Sequence, residues 1–233
     1  MEKEYFGGEA FQMIRLFIYC EGQTEASFVN RLLSERLLRN KILAKPIIAE
    51  TSRTHTKKHK GGLSKYKKIR PEIEKLCNDK SSYVTTMLDF YGLPNDVPGR
   101  RNPIGKNIYE KVCYVENEIA KDIAQSNFIP NVILHEFEGL LFSNPNCFSY
   151  CSKKQTQIDK IIKIRNDHET PEHINDGVST APSKIILKIF PDYDKVVDGV
   201  NIAIDVGIEQ IIKECYHFKE WVHRLEELRG IAT

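Results

Sequence analysis

Two apolar runs that stop abruptly at a carboxylate constrain this chain more than any other feature. "IRLFIYC" (Ile14 to Cys20) is nearly continuous in apolar residues and is followed at once by Glu21. "YVTTMLD" (Tyr83 to Asp89) is β-branched and apolar and closes on Asp89. Short unbroken runs of this kind fit strands buried on both faces, as in a parallel sheet covered by helices. A further run, "FIPNVILHE", carries Glu136 at its end, with Glu138 just beyond in "FEGLLF". In an open α/β sheet the carboxyl ends of the strands share one edge, where such folds keep their ligands. Carboxylates far apart in sequence are therefore able to converge there.

The segments between these runs alternate accordingly. Thr24 is a suitable N-cap for a helix reaching about Asn40, with Glu25 in its first turn and Phe28, Val29, Leu32, Leu33 and Leu37 as its apolar stripe. "AKPIIAE" (Ala44 to Glu50) reads as a second strand whose Pro46 favours its start or an edge position. A helix follows from near Lys65 to about Cys77, interrupted or restarted at Pro71, and another runs from about Ile108 to Ala124. Between them lies a long loop, "FYGLPNDVPGRRNPIG". Beyond Asn144 the pattern turns helical, at Ile158 to Ile164, Lys184 to Phe190, Ile208 to Cys215 and Phe218 to Leu228. The expectation is an α/β fold: a mostly parallel sheet flanked by helices (residues 13–144), with a helical C-terminal part (145–233) packed on it. Residues 1–12 have no clear period and read as an N-terminal extension.

Charge is informative only in its distribution. The net charge is +2, yet residues 51–70 hold Arg53, Lys57, Lys58, Lys60, Lys65, Lys67, Lys68 and Arg70 without one acid. That segregation suggests a basic surface beside an acidic site, although charge runs are also found as plain solvated loops. Nothing approaches the roughly 18 apolar residues of a membrane span, and no signal-peptide core opens the chain. The six scattered cysteines then read as reduced thiols of a cytoplasmic protein. Cys147 and Cys151 are close, but no second Cys/His pair completes a zinc-ribbon spacing.

Clustered carboxylates raise one another's pKa values unless a cation neutralises them. A hard divalent ion with oxygen ligands, Mg²⁺ or Mn²⁺, is the economical partner. With basic residues nearby, phosphoryl transfer or phosphodiester cleavage is the fitting chemistry. Each acid also has separate employment open to it. Glu25 suits a helix N-terminus, Asp89 a turn cap, and Glu136 or Glu138 a surface ion pair. If "HEFE" is extended, Glu136 and Glu138 share a face; if it is helical, they diverge by roughly 200°. "GRRNPIGK" is not a phosphate loop, because five residues separate its glycines and Asn107 replaces the metal-binding hydroxyl. "HEFEG" lacks the second histidine of a zinc protease, while His135 suits either proton transfer or a strand-end hydrogen bond.

"CEGQTE" after a first strand resembles the opening of Toprim domains, the metal-binding fold of topoisomerases, primases and OLD-type nucleases. The stretches "CEGQTEASFVNRLL", "VTTMLDFYGLPNDVPG", "HEFEGLLF", "PEHIND", "APSK" and "CYHFKEW" more specifically resemble the Toprim-like domain-of-unknown-function family 4276, from Met13 to about Leu228. The resemblance implies that Glu21 and Asp89 are metal-binding and acid–base residues. Toprim nucleases carry Asp-x-Asp where this chain has Asp89, Phe90 and Tyr91, so the second aspartate is missing. Glu25, Glu136 or Glu138 could replace it. Relatives also imply a partner, an AAA/ABC-type ATPase of bacterial anti-phage defence.

The leading expectation is a metal-dependent nuclease with Glu21, Glu25, Asp89, Glu136 and Glu138 as catalytic residues. Within that set Glu21, Asp89 and Glu136 hold Mg²⁺ or Mn²⁺. Arg53, Lys57, Lys58, Lys60, Arg100 and Arg101 are the candidates for the nucleic-acid backbone. A non-catalytic, partner-docking subunit, favoured by Tyr91, and a small-nucleotide phosphohydrolase stand as the alternatives.

Overall fold

In the computed structural model, which describes residues 13–50, 65–174 and 180–230, five parallel strands form the central sheet. They are β1 (Ile14–Cys20), β2 (Ile42–Ile48), β3 (Ser82–Asp89), β4 (Phe128–Ile129) and β5 (Val132–Ile133). The order is β2-β1-β3-β4, with β5 also pairing with β3. The α/β class expected from the sequence is the observed one.

The strands alternate as burial on two faces demands. Leu16, Ile18 and Cys20 of β1 enter one core, and Tyr19 enters the other. The second core is closed by α3 (Tyr66–Cys77) and α4 (Ile108–Ile123). The first is closed by a helix that starts as α1 (Gln23–Phe28), passes through a π-helical turn (Val29–Leu33) and ends as α2 (Ser34–Leu38). It is also closed by the C-terminal helices α5 (Gln155–Asn166), α6 (Pro182–Ile189), α7 (Asp198–Val206), α8 (Ile208–Glu214) and α9 (Tyr216–Glu226). The C-terminal helices thus share one continuous apolar core with β1 and α1. Trp221 of α9 is wholly buried, and its indole N–H donates to Thr85 Oγ1 of β3 at 2.9 Å.

Three local expectations change. "FIPNVILHE" is two two-residue strands, because Pro130 cannot donate to the ladder and Asn131 turns aside. Thr86 Oγ1 receives the Asn131 N–H at 2.9 Å and donates back to its carbonyl at 2.7 Å. Pro71 does not interrupt α3, which runs through it. The stretch α7 was not expected to be helical, since its Gly199, Asn201 and β-branched residues are weak helix formers. Burial of Val200, Ile202, Ala203 and Val206 overrides that preference. No described helix is long and apolar enough to cross a membrane.

A candidate metal centre at the carboxyl edge of the sheet

Adjacent strands β1, β3 and β5 bring their acidic ends together. β3 lies between the other two, with Cys20 opposite Met87 and Asp89 opposite Ile133. Asp89, the last residue of β3, is 5 % exposed. Its Oδ1 accepts the Phe137 N–H at 2.9 Å, tying it to the 3-10 helix Phe137–Ser143 that follows β5. Glu21 leaves β1 and accepts the Asp89 N–H through Oε2 at 3.3 Å. The Glu21 carboxylate lies so close to the Gly92 backbone that a Cβ there would meet its two oxygens at 2.7 and 2.9 Å.

Glu25 does two jobs. Its Oε2 accepts the Gly22 N–H at 2.9 Å, closing the N-terminal turn of α1, while Oε1 faces the acidic cluster. Glu138 is fully buried in the first turn of the 3-10 helix. Glu136 precedes that helix with an extended backbone, and its Oε2 accepts the Ser183 N–H in the first turn of α6 at 3.1 Å. The "HEFE" stretch therefore changes from extended to helical within itself. Glu136 still adds negative potential at both Glu21 and Glu138.

Lys195, which the sequence reading passed over, sits at the centre. Its Nζ is 3.2 Å from Glu138 Oε2, 3.6 Å from Asp89 Oδ2 and 3.7 Å from Glu25 Oε1. The side chain as a whole is 41 % exposed, so a solvated stem delivers an ammonium among sunken acids. It belongs to "PDYDKVVDG", a turn with no period to mark it. The signal available was electrostatic: several convergent acids require a cation, and the chain supplies one itself.

Titration behaviour follows from this arrangement. Burial, then the Glu25 charge, pushes Glu21 up to about 7 against the pull of Lys195 and the Asp89 N–H. Burial raises Asp89 well above the usual carboxylate range, with Lys195 opposing and Glu21, Glu25 and Glu138 reinforcing. Glu138 is raised by burial, and Lys195 opposes. Burial works against the Lys195 charge, but Asp89, Glu138, Glu25 and Glu21 more than offset it, so this ammonium stays protonated throughout the working range.

The donor set suits a hard divalent cation. All the ligand atoms offered are carboxylate oxygens, and three of them surround the Lys195 ammonium at 3.2–3.7 Å; an ion there would displace that ammonium and draw the oxygens inward to about 2.1 Å. Glu138 is held to Lys195 as a buried ion pair at 3.2 Å, and among the described residues the buried Tyr193 hydroxyl meets no hydrogen-bond partner. Burial, then Glu138, keeps that phenol protonated.

The other expected residues are placed less centrally. Tyr91, at the position of the missing aspartate, stacks on His135 with ring centroids 5.3 Å apart, and its N–H donates to the His135 carbonyl at 3.1 Å. His135 itself holds a positive φ of 63°. Arg100 is half-buried with its guanidinium 4.3 Å over the Phe90 ring, whereas Arg101 is exposed. Arg53, Lys57, Lys58 and Lys60 lie outside the described residues.

The family model for a domain of unknown function, DUF4276, matches residues 20–226, a span that holds Glu21, Glu25, Asp89, Glu136, Glu138 and Lys195. The chain belongs to the DUF4276 family. No curated protein matches it. Among solved structures, the C-terminal region of the OLD protein of Xanthomonas campestris pv. campestris is similar in part. The two share 14 % identity over 94 % of this chain and 97 % of the other, with a TM-score of 0.47.

Proposed function

We propose that this DUF4276 chain is a metal-dependent nuclease whose site is the carboxyl edge of β1, β3 and β5. The observation that carries the reading is the convergence of Glu25, Asp89 and Glu138 on one cationic position, with Glu21 hydrogen-bonded to the same strand end. The resemblance of "CEGQTE" and "VTTMLD" to Toprim nucleases supports it from the sequence side.

Glu21 and Asp89 would hold Mg²⁺ or Mn²⁺, with Glu25, Glu136 and Glu138 able to complete the oxygen set in place of the absent second aspartate. Bound there, a divalent ion supplies charge neutralisation and lowers the pKa of water toward neutrality. The chain's own residues do the rest. The Phe137 N–H and the backbone beside Gly92 fix Asp89 and Glu21 in position. Lys195, whose ammonium sits among Glu25, Asp89 and Glu138, would move aside for the ion and then be free to meet a phosphate oxygen. The exposed Arg101, on the loop that follows β3, and Arg53, Lys57, Lys58 and Lys60 would extend the backbone contacts. Arg100, spent on Phe90, would support the loop more than bind a strand. The effector would act with an AAA/ABC-type ATPase in anti-phage defence, as the resemblance implies.

A second reading, a binding subunit without catalysis, draws on Tyr91 and on Lys195 itself, which already balances the acids. Cleavage of labelled plasmid DNA, single-stranded DNA and total tRNA with Mn²⁺ or Mg²⁺ separates the two. Each reaction is run with and without any operon-encoded ATPase, beside Glu21→Gln and Asp89→Asn. Cutting that both substitutions abolish is the expected result. Silence of the folded wild type under all conditions would leave the binding reading.

A further inference from the structure

A second constellation lies away from the carboxylate edge. Among the described residues, one trio of possible ligands brings a donor atom from each member within 4.8 Å of the others: Cys113, Glu116 and His217. Cys113 and Glu116 stand three apart on α4, which puts them on neighbouring positions of one helix face. His217 is the second residue of α9. Cys113 is the one exposed cysteine of the chain, and it sits above two donors that are nearly wholly buried, Glu116 at 3 % and His217 at 4 % exposure.

We propose that Cys113, Glu116 and His217 form a zinc site that ties α9 to α4, with a solvent-facing fourth position beside Cys113. Thiolate, imidazole and carboxylate together make a borderline-soft set, which suits Zn²⁺ and not the hard ions of the other centre. Tetrahedral zinc with ligands at about 2.0–2.3 Å sets neighbouring donors roughly 3.3–3.8 Å apart. His217 Nε2 and Glu116 Oε1 are now 2.9 Å apart, so loading opens that contact by a few tenths of an ångström and draws the sulfur inward. The ion replaces two protons, that of the Cys113 thiol and the one between His217 and Glu116.

The outer supports of such a site are in place. Glu116 Oε1 also accepts the buried Val132 N–H at 2.8 Å, which orients the carboxylate. The His217 and Phe218 N–H groups each donate to Glu172 at 3.0 Å, fixing the start of α9. Arg224 Nη2, 3.9 Å from Glu116 Oε2, opposes the ion; thiolate and carboxylate together neutralise it, so the net charge beside Arg224 is no higher than before. Sequence spacing hides the site, since His217 lies 101 residues beyond Glu116.

Titrating the reduced, full-length protein with Co²⁺ tests this. The expected result is a sulfur-to-cobalt charge-transfer band with tetrahedral ligand-field absorption, saturating at one equivalent and erased by Zn²⁺. Cys113→Ser, a change at an exposed position, should remove the band, while Asp89→Asn should retain it, because oxygen ligands alone give no sulfur transition. A wild type without the band, or Cys113→Ser with an undiminished one, would overturn the site and leave Glu116 and His217 as a buried ion pair.

Discussion

Replacing Lys195 by methionine removes the charge at the centre of the acidic edge while keeping an unbranched side chain. Three carboxylates within 3.2–3.7 Å of Nζ then lose their common counter-charge. Breaking a buried ion pair costs about 3–5 kcal/mol. The Lys195 side chain is 41 % exposed, so solvent screening brings the expected loss to about 1–3 kcal/mol. For a chain of this size that is a fall in Tm of roughly 2–12 °C.

The pH dependence has a definite sign. Lys195 has a folded pKa above its unfolded one, so its contribution is complete below about 10.5 and constant between pH 5 and 8 on its own account. The acids vary in that window. Glu21 is held at about 7, and Asp89 and Glu138 are raised, so the folded state binds protons that the unfolded state has released. Stability therefore falls as pH rises from about 4.5 to 7. Without Lys195 these carboxyl groups move higher still, and that fall steepens. Thermal unfolding of Lys195→Met beside wild type at pH 5 and pH 8 should show the larger deficit at pH 8. Added Mn²⁺ should restore the variant by more than it raises the wild type. A deficit equal at both pH values, or none at all, would refute the role given to this ammonium.

Two further substitutions probe other contacts. Gly92→Ala would place a methyl against the flexible end of Glu21, so cleavage should fall by on the order of 10²-fold while Tm stays within a few degrees; a parallel loss of folding would contradict that local account. Glu172→Ala leaves the His217 and Phe218 N–H groups and the Tyr109 hydroxyl without their acceptor, at about 2–4 kcal/mol. The lone tryptophan, Trp221 in the same helix, offers fluorescence as the readout, and an unchanged unfolding midpoint would count against the capping role.

The sheet was legible because strands buried on both faces have to be apolar and have to stop where solvent begins. Ile14–Cys20 and Ser82–Asp89 announce themselves, and with them the places of Glu21 and Asp89. Glu138 was nameable, but its full burial was not, because that depends on a 3-10 turn packed under the C-terminal helices. Lys195 was illegible for another reason. A lysine in a polar turn carries no period, and only tertiary packing brings residue 195 to residues 25, 89 and 138. The helix α7 shows the same limit, since core burial there outweighs local propensity.

At the centre of this proposal, the acidic edge is a divalent-cation site. Mn²⁺ binding followed by electron paramagnetic resonance, in wild type and Asp89→Asn, tests it most directly. The amide oxygen of asparagine can still accept the Phe137 N–H, so the fold is kept while the charge is lost. The expected result is saturable binding by wild type, weakened more than about tenfold in the variant. Equal affinity in both proteins, or a folded wild type that binds no Mn²⁺, would contradict the claim.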